Sequence, residues 1–113
     1  MPSPMNETSF WILTALAEGP RHGYAILGAV TSLSDGAVSL RITTLYAALE
    51  RLEQSAQIAR AGEEVVAGRA RRYYALAPEG RAALEAEVER LRVRTDAARA
   101  ALRRAAATSW ASA

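Results

Sequence analysis

Hydroxyl and guanidinium groups are spaced along residues 41–53 so that they share one side of a predicted helix. The apolar residues of this run recur at three- and four-residue steps and form a single stripe: Ile42, Leu45, Leu49 and Leu52. The other side of the helix then carries Thr43, Thr44 and Arg51, with Arg41 at its start. This surface is small, hydroxylated and basic, and its donors suit phosphate oxygens and the edges of bases.

Three arginines stand among strand-forming residues in a second run, residues 68–76. Arg69, Arg71 and Arg72 have no acidic residue between them, which suits a strand lying beside a polyanion. Because side chains alternate along a strand, Arg71 shares a face with Tyr73 while Arg72 points the other way. We therefore expect Arg69 and Arg71, rather than Arg72, to face a polyanion. The alternative is a solvated basic strand.

The periodicity along the chain predicts four helices and one β-hairpin. The first helix begins at Thr8 or Ser9 and ends before Gly19, and the second runs from about His22 to Leu33, where Ser34-Asp35-Gly36 breaks it. The third begins at Ser39 or Arg41 and ends near Ser55, and a short loop separates it from the second, as in a helix-turn-helix. The remaining predicted elements are strands at residues 58–65 and 70–76, a turn at 66–68, and a last helix from Pro78 to about Trp110.

The last helix carries a repeating apolar seam that favours pairing with another long helix. Its members alternate steps of four and three residues, as in a coiled coil: Leu84, Val88, Leu91, Thr95, Ala98, Leu102 and Ala105. A domain of this size has no second element long enough to cover the seam. We expect a dimerisation arm; the alternative is a helix that packs on its own domain.

Composition excludes several classes of site. The chain has 113 residues, which argues for one domain, and its net charge is only +2, so a basic surface has to come from local arrangement. It has no cysteine and one histidine, which excludes disulfides and a zinc site built from this chain alone. Glu85, Glu87 and Glu89 fan around a helix axis at their two-residue spacing, so we expect a solvated face rather than a metal cluster. No cofactor and no catalytic group are predicted.

Several motifs together resemble those of the PadR family of transcriptional regulators, in its short form with a single C-terminal helix. The resemblance covers nearly everything from Phe10 to Leu91. The matching segments are Leu16-Ala17-Glu18-Gly19-Pro20-Arg21-His22-Gly23-Tyr24-Ala25-Ile26, Thr44-Leu45-Tyr46, Leu49-Glu50-Arg51-Leu52-Glu53, Gly68-Arg69, Arg71-Arg72-Tyr73-Tyr74 and Glu79-Gly80-Arg81. The resemblance implies a mainly α fold with a small β-hairpin, that is, a winged helix-turn-helix with a long dimerisation helix. It also implies a homodimeric repressor that a small molecule releases from promoters.

The chain departs from the usual family pattern at four places. Arg41-Ile42-Thr43 stands where the family usually has Ser-Pro-Gly, and Ala47 stands where a proline follows the tyrosine. Ser55-Ala56 replaces the usual Asp-Gly at the end of the third helix, so the glycine that accepts a left-handed cap is missing. Ala77 replaces a threonine that would cap the last helix. These departures bear on base contacts rather than on the basic surface.

The predicted DNA-binding surface places the third helix in the major groove and the wing arginines on the flanking phosphates. Its residues are Tyr24, Arg41, Thr43, Thr44, Tyr46, Arg51, Arg69 and Arg71. Tyr24 and Tyr46 have an equally good interpretation as packed tyrosines whose hydroxyls meet water. A dimer would present two such helices to a palindromic operator with half-sites about one helical turn, roughly 34 Å, apart. His22 is interpreted as a helix-start residue rather than a sensor.

Phe10 and Trp11 are the candidate effector-binding residues. In the resembled family the first helix and the dimer arm enclose a cavity that holds flat aromatic compounds, which implies that Trp11 serves as a stacking wall. An ordinary core or interface tryptophan is the alternative. A rival function for the whole chain is a winged-helix protein-interaction module that does not bind DNA.

The predicted organisation is a flexible lead at 1–5, a winged helix-turn-helix at 6–77, a dimerisation helix at 78–110 and a tail at 111–113. The opening residues lack the basic flank and apolar run of a signal peptide, and no run is long enough to span a membrane. A cytoplasmic protein that is not an enzyme is expected.

Overall fold

The computed structural model describes residues 5–109, so the predicted lead before Met5, the tail and the environment of Trp110 lie outside the described residues. The elements are α1 (Glu7–Ala17), β1 (Arg21–His22), α2 (Gly23–Leu33), α3 (Ile42–Gln54), β2 (Ile58–Val66), β3 (Arg69–Leu76) and α4 (Pro78–Ser109). Within the described part of the chain, no helix has the length and apolar character that a bilayer crossing requires.

Three short helices and the base of the sheet enclose the core. Its largest fully buried side chains come from α1, α2 and α3: Ile12, Leu13, Leu16, Ile26, Val30, Leu45 and Leu49. Ile58 from β2 and Tyr74 from β3 complete it. The apolar stripe predicted on α3 is therefore the side that meets the core, with Ile42 at its start left partly exposed.

The start of α1 differs from the prediction. Asn6, rather than Thr8 or Ser9, is the N-cap residue, because its side-chain oxygen accepts a hydrogen bond from the backbone N–H of Ser9 at 2.8 Å. Ser9 itself is buried inside the helix. His22 caps α2 in the same way, its Nδ1 accepting from the N–H of Ala25 at 3.3 Å.

The sheet has three strands rather than the two of the predicted hairpin. Its order is β1-β3-β2, and the added strand β1 pairs Arg21 with Tyr74 and His22 with Tyr73. The turn between β2 and β3 has positive φ at both central residues, Ala67 at 53° and Gly68 at 77°. A two-residue turn of this type matches the twist of the strands, so the wing is a tight hairpin.

α4 leaves the domain and gives the molecule its elongated shape. The helix has 32 residues, and the described residues extend over 70 × 30 × 21 Å. Its first turn packs against the segment after α3, and its first half packs on α1. The architecture is thus a winged helix-turn-helix with a long C-terminal helix, as the sequence predicted.

Candidate nucleic-acid interface

The outward face of α3 is open to solvent. Arg41, Thr43, Thr44 and Arg51 are all exposed, because the core takes the other side of the helix through Leu45, Ala48, Leu49 and Leu52. Arg41 is the N-cap residue and supplies no side-chain cap hydrogen bond. The first-turn N–H groups and two threonine hydroxyls therefore share one accessible end of the helix.

Tyr24 of α2 and Tyr46 of α3 line the same cleft. Tyr24 is 69% exposed and Tyr46 is 46% exposed, so neither is a core residue. The phenol of Tyr46 lies against the start of α2, where Gly23 is buried. The two rings form one wall of an open cleft of about 540 Å³.

The wing forms the opposite wall of this cleft. Arg69 and Arg71 line it together with Arg72, and His22 and Gly23 line it as well. The cleft therefore brings together four of the eight predicted DNA-binding residues: Tyr24, Tyr46, Arg69 and Arg71. The other four lie on the exposed face of α3.

Arg71 and Arg72 both border the cleft, so the expectation that Arg69 and Arg71, rather than Arg72, face a polyanion stays a prediction. β1 ends opposite Tyr73, so the edge of β3 beyond that residue has no strand partner on this side. The four β3 residues that line the cleft lie on this stretch: Arg69, Ala70, Arg71 and Arg72.

Two features of the wing were not anticipated from the sequence. Glu63 stands opposite Arg72 and Glu64 opposite Arg71 in the β2–β3 register. The hydroxyl of Tyr73 donates to Glu64 at 3.4 Å, and its ring packs edge-on against His22 with centroids 5.5 Å apart. The wing is therefore less basic than the arginines alone suggest, and the packing of Tyr73 on His22 joins it to the start of α2.

Tyr74 attaches the wing to the core. Its side chain is 3% exposed, and burial raises the pKa of its phenol, with the nearby carboxylate of Glu53 acting in the same direction. Glu53 in turn accepts a hydrogen bond from Arg60 at 3.2 Å. These contacts fix the base of the wing relative to the end of α3.

The predicted seam of α4 is mostly uncovered in the single chain. Val88 is 53% exposed and Leu102 is 71% exposed. Thr95 and Ala98 are also exposed, whereas Leu84 and Leu91 are half-buried. An apolar stripe of this length on a projecting helix is typical of a surface that a partner covers.

Glu87 of α4 was predicted to lie on a solvated face, and the structure buries it instead. Glu87 is only 7% exposed, and it lies beside Met5 of the N-terminal segment. Arg90 donates to it through two nitrogens, one at 2.9 Å, and the N–H of Met5 lies 3.5 Å from its Oε1. The hydrogen bonds from Arg90 lower the pKa of Glu87, and burial opposes them. Within residues 5–109 no cluster of acids or histidine is arranged to hold a metal ion.

Phe10 and Trp11 lie half-buried on α1. Their rings meet edge to face with centroids 5.2 Å apart, and the Trp11 indole N–H points to Glu7 at 3.5 Å. Trp11 packs against the core from outside. This placement leaves part of the indole accessible on the side of α1.

The family model of the PadR-like transcriptional regulators matches residues 12–86 of the chain. Over 82 residues the chain is 44% identical to an uncharacterised 37.1 kDa protein of transposon TN4556 from Streptomyces fradiae. That match covers 73% of this chain but 22% of the relative, so the chain spans less than a quarter of that curated relative's length.

Solved structures of regulators share the fold. A PadR family transcription regulator from Clostridium difficile superposes with a TM-score of 0.70 at 25% identity, covering 86% of this chain and 99% of that one. Bacillus subtilis PadR in complex with operator DNA superposes with a TM-score of 0.66 at 19% identity, covering 74% of this chain and 47% of that one. Bordetella bronchiseptica BpsR, whose DNA binding is regulated by 6-hydroxynicotinic acid, superposes with a TM-score of 0.65 at 21% identity, covering 86% of this chain and 67% of that one. The last two show the fold alone. With its family match, its winged helix-turn-helix and its projecting helix, this chain belongs to the PadR-like family of transcriptional regulators.

Proposed function

We propose that the protein is a sequence-specific DNA-binding regulator that acts as a homodimeric repressor and is released by a small molecule. The observation that carries the DNA-binding part is that exposed Tyr46 of α3 lines one cleft together with Tyr24 and the wing arginines Arg69 and Arg71. The exposed Thr43, Thr44 and Arg51 belong to the same helix as Tyr46.

In this proposal α3 enters the major groove with its N-terminal end first. Thr43 and Thr44 meet base edges or phosphates there, and Arg51 follows further along the groove. The wing places Arg69 and Arg71 on an adjacent stretch of backbone, where guanidinium groups pair with phosphate. The complex of Bacillus subtilis PadR with operator DNA supports this use of the fold.

The homodimer is proposed to form through α4. At 1.5 Å per residue a helix of 32 residues is about 48 Å long, and most of its seam has no cover in the single chain. Residues 6–77 then serve as the DNA-binding domain and 78–110 as the dimerisation helix. Two-fold symmetry predicts a palindromic operator with half-sites roughly 34 Å apart.

Release by an effector is proposed from the position of Phe10 and Trp11. Both lie on α1 and keep part of their rings accessible, and α1 packs on α4. A flat aromatic compound stacked on Trp11 would bias how α4 sits on the domain, and so the distance between two DNA-binding surfaces. Regulation of BpsR by 6-hydroxynicotinic acid supports an aromatic effector. A DNA target supports a location in the cytoplasm.

A gel-shift titration across a salt series tests the proposal, using DNA from upstream of the protein's own gene. If a dimer neutralises about six phosphates, log affinity falls with log salt at a slope near −5. Reversing the charges of Arg51, Arg69 and Arg71 to Glu together should weaken binding at least about tenfold. Arg103→Glu is the matched control, because Arg103 is exposed on α4 away from this surface.

The outcome also separates the rival function. A winged-helix module that binds only proteins would keep the α4 seam but would need none of these three arginines. A flat salt dependence, or equal DNA retention by the charge-reversed and control variants, would favour that module over a DNA-binding regulator.

A further inference from the structure

Gly23, the first residue of α2, occupies a position where a side chain would collide with the phenol of Tyr46. A Cβ built on its backbone would lie 2.7 Å from the hydroxyl oxygen of Tyr46 and 3.2 Å from Cζ of the same ring. Real Cβ atoms essentially never approach another atom as closely as the first distance. Tyr46 belongs to α3, so this contact joins the two helices of the helix-turn-helix.

The conflict involves the tip of a movable side chain and no backbone atom. The three atoms nearest to such a Cβ all belong to the phenol of Tyr46. Tyr46 is 46% exposed, and within residues 5–109 its hydroxyl makes no hydrogen bond, so the ring is free to swing aside. Gly23 has no positive φ that would require glycine. The fold can therefore accommodate a methyl group at residue 23, but only if the phenol of Tyr46 shifts from its observed position.

The direction in which the phenol would move matters for the cleft. Gly23 and Tyr46 both line it, and so do Arg71 and Arg72 of the wing. A methyl group at residue 23 would displace the Tyr46 hydroxyl by several tenths of an ångström, away from α2. A hydrogen bond weakens steeply with such misplacement, so a group bound between phenol and guanidinium would lose part of its contacts.

We propose that Gly23 is a positioning residue for DNA binding, whose missing side chain holds the Tyr46 phenol at the depth where it shares a backbone phosphate with the wing arginines. This inference rests on the proposed function. It assigns to Gly23 a role that acts through Tyr46, without contact between Gly23 and the nucleic acid.

The test compares two glycines of the same helix. Gly28 also lies in α2, but a Cβ there meets nothing within 4 Å. Gly23→Ala should weaken operator binding about fivefold, the loss of roughly one hydrogen bond, while Gly28→Ala leaves affinity unchanged. Both variants should fold, as judged by circular dichroism and by a thermal midpoint no lower than that of the wild type.

A rescue experiment distinguishes positioning from a general structural effect. Tyr46→Phe removes the hydroxyl, which is the atom in closest conflict. In a protein that carries Tyr46→Phe, Gly23→Ala should therefore weaken operator binding less than twofold. The free protein offers a second readout that needs no DNA. In spectra of isotope-labelled tyrosine, Gly23→Ala should shift the ring resonances of Tyr46, and Gly28→Ala should leave them in place.

The outcomes separate the two proposals. If Gly23→Ala shifts Tyr46 but no DNA is bound even by the wild type, the proposed function fails. If the wild type binds DNA and Gly23→Ala changes neither affinity nor the Tyr46 resonances, the positioning role is overturned. Loss of folding in Gly23→Ala, or an equal loss of affinity with Phe at position 46, would overturn it as well.

Discussion

At the scale of single residues, Ala56 adopts a backbone conformation that normally belongs to glycine. Its φ is +60°, and the end of α3 closes around it. The N–H of Gln57 donates to the carbonyl of Leu52 at 2.9 Å, and the N–H of Ala56 donates to the carbonyl of Glu53 at 3.0 Å. These two bonds form a Schellman motif, so the left-handed cap is kept even though the family's usual glycine is absent.

Replacing this alanine by glycine should therefore stabilise the protein. A left-handed alanine costs roughly 1–2 kcal/mol, part of which is offset in glycine by the greater freedom of the unfolded chain. We expect Ala56→Gly to raise the free energy of unfolding by about 0.5–1 kcal/mol in urea titrations. Ala59→Gly, at an exposed strand position with ordinary φ, is the control and should lower it.

Glu87 is the residue whose ionisation we expect to affect stability. Hydrogen bonds from Arg90 lower its pKa below the ordinary value of 4.5. A depressed carboxyl pKa contributes stability that is complete above the unfolded-state pKa and is lost as the pH falls through the folded-state pKa. The difference in unfolding free energy between wild type and Glu87→Gln should thus be largest near pH 7 and shrink below about pH 4.5.

Urea titrations between pH 7 and pH 3 check this expectation. Glu85→Gln is a suitable control, because Glu85 is exposed and makes no ion pair in the described part of the helix. A difference between wild type and Glu87→Gln that stays constant with pH would contradict the role given to the Arg90 contact.

At the scale of elements, the joint between the wing and α4 is set by a close approach of backbone to backbone. A Cβ at Gly80 would lie 2.0 Å from the carbonyl oxygen of Gln57, and the N–H of Ala77 donates to that same oxygen at 3.0 Å. The first turn of α4 is therefore held against the segment that links α3 to β2. Unlike the phenol tip beside Gly23, this carbonyl cannot swing aside.

Gly80→Ala should accordingly destabilise the fold, by about 2–3 kcal/mol as in other overpacked sites. Thermal unfolding followed by circular dichroism measures the change. Gly28→Ala provides the contrast, since a methyl group in open space on a helix should stabilise by up to about 1 kcal/mol. Equal effects of the two substitutions would show that the close approach does not constrain the joint.

At the scale of the whole molecule, the projecting α4 determines which assembly we expect. Val88 and Leu102 are large apolar side chains more than half exposed on one seam. Introducing glutamate at both positions should convert a dimer to a monomer and reduce operator affinity by at least about tenfold, because two half-sites no longer bind together. Ala97→Glu, exposed on another side of α4, should leave both properties unchanged.

Sedimentation equilibrium at micromolar concentration measures the mass of each variant. A wild-type protein that is monomeric under these conditions, or a doubly substituted protein that keeps the wild-type mass, would contradict pairing through this seam.

The sequence by itself determined the helices, the wing and the two faces of α3, because these follow from patterns within a few residues. A three- and four-residue period states which side of α3 is apolar before any partner is known. The same holds for the turn at Gly68 and for the start of α4 at Pro78. The sequence did not predict the left-handed cap at Ala56, because alanine disfavours a positive φ. Two backbone hydrogen bonds outweigh that preference in the fold.

The tertiary structure decided everything that depends on contacts between distant parts of the chain. The pairing of β1 with β3, the burial of Glu87 beside Met5 and the cleft between Tyr46 and the wing all join residues that no local period relates. The two glycines at positions 23 and 80 look alike in the sequence, and only the atoms facing them, a mobile phenol or a fixed carbonyl, give them different consequences. Packing selects such contacts because dense interiors leave no room for an extra methyl group, and a linear pattern carries no record of which atoms will meet.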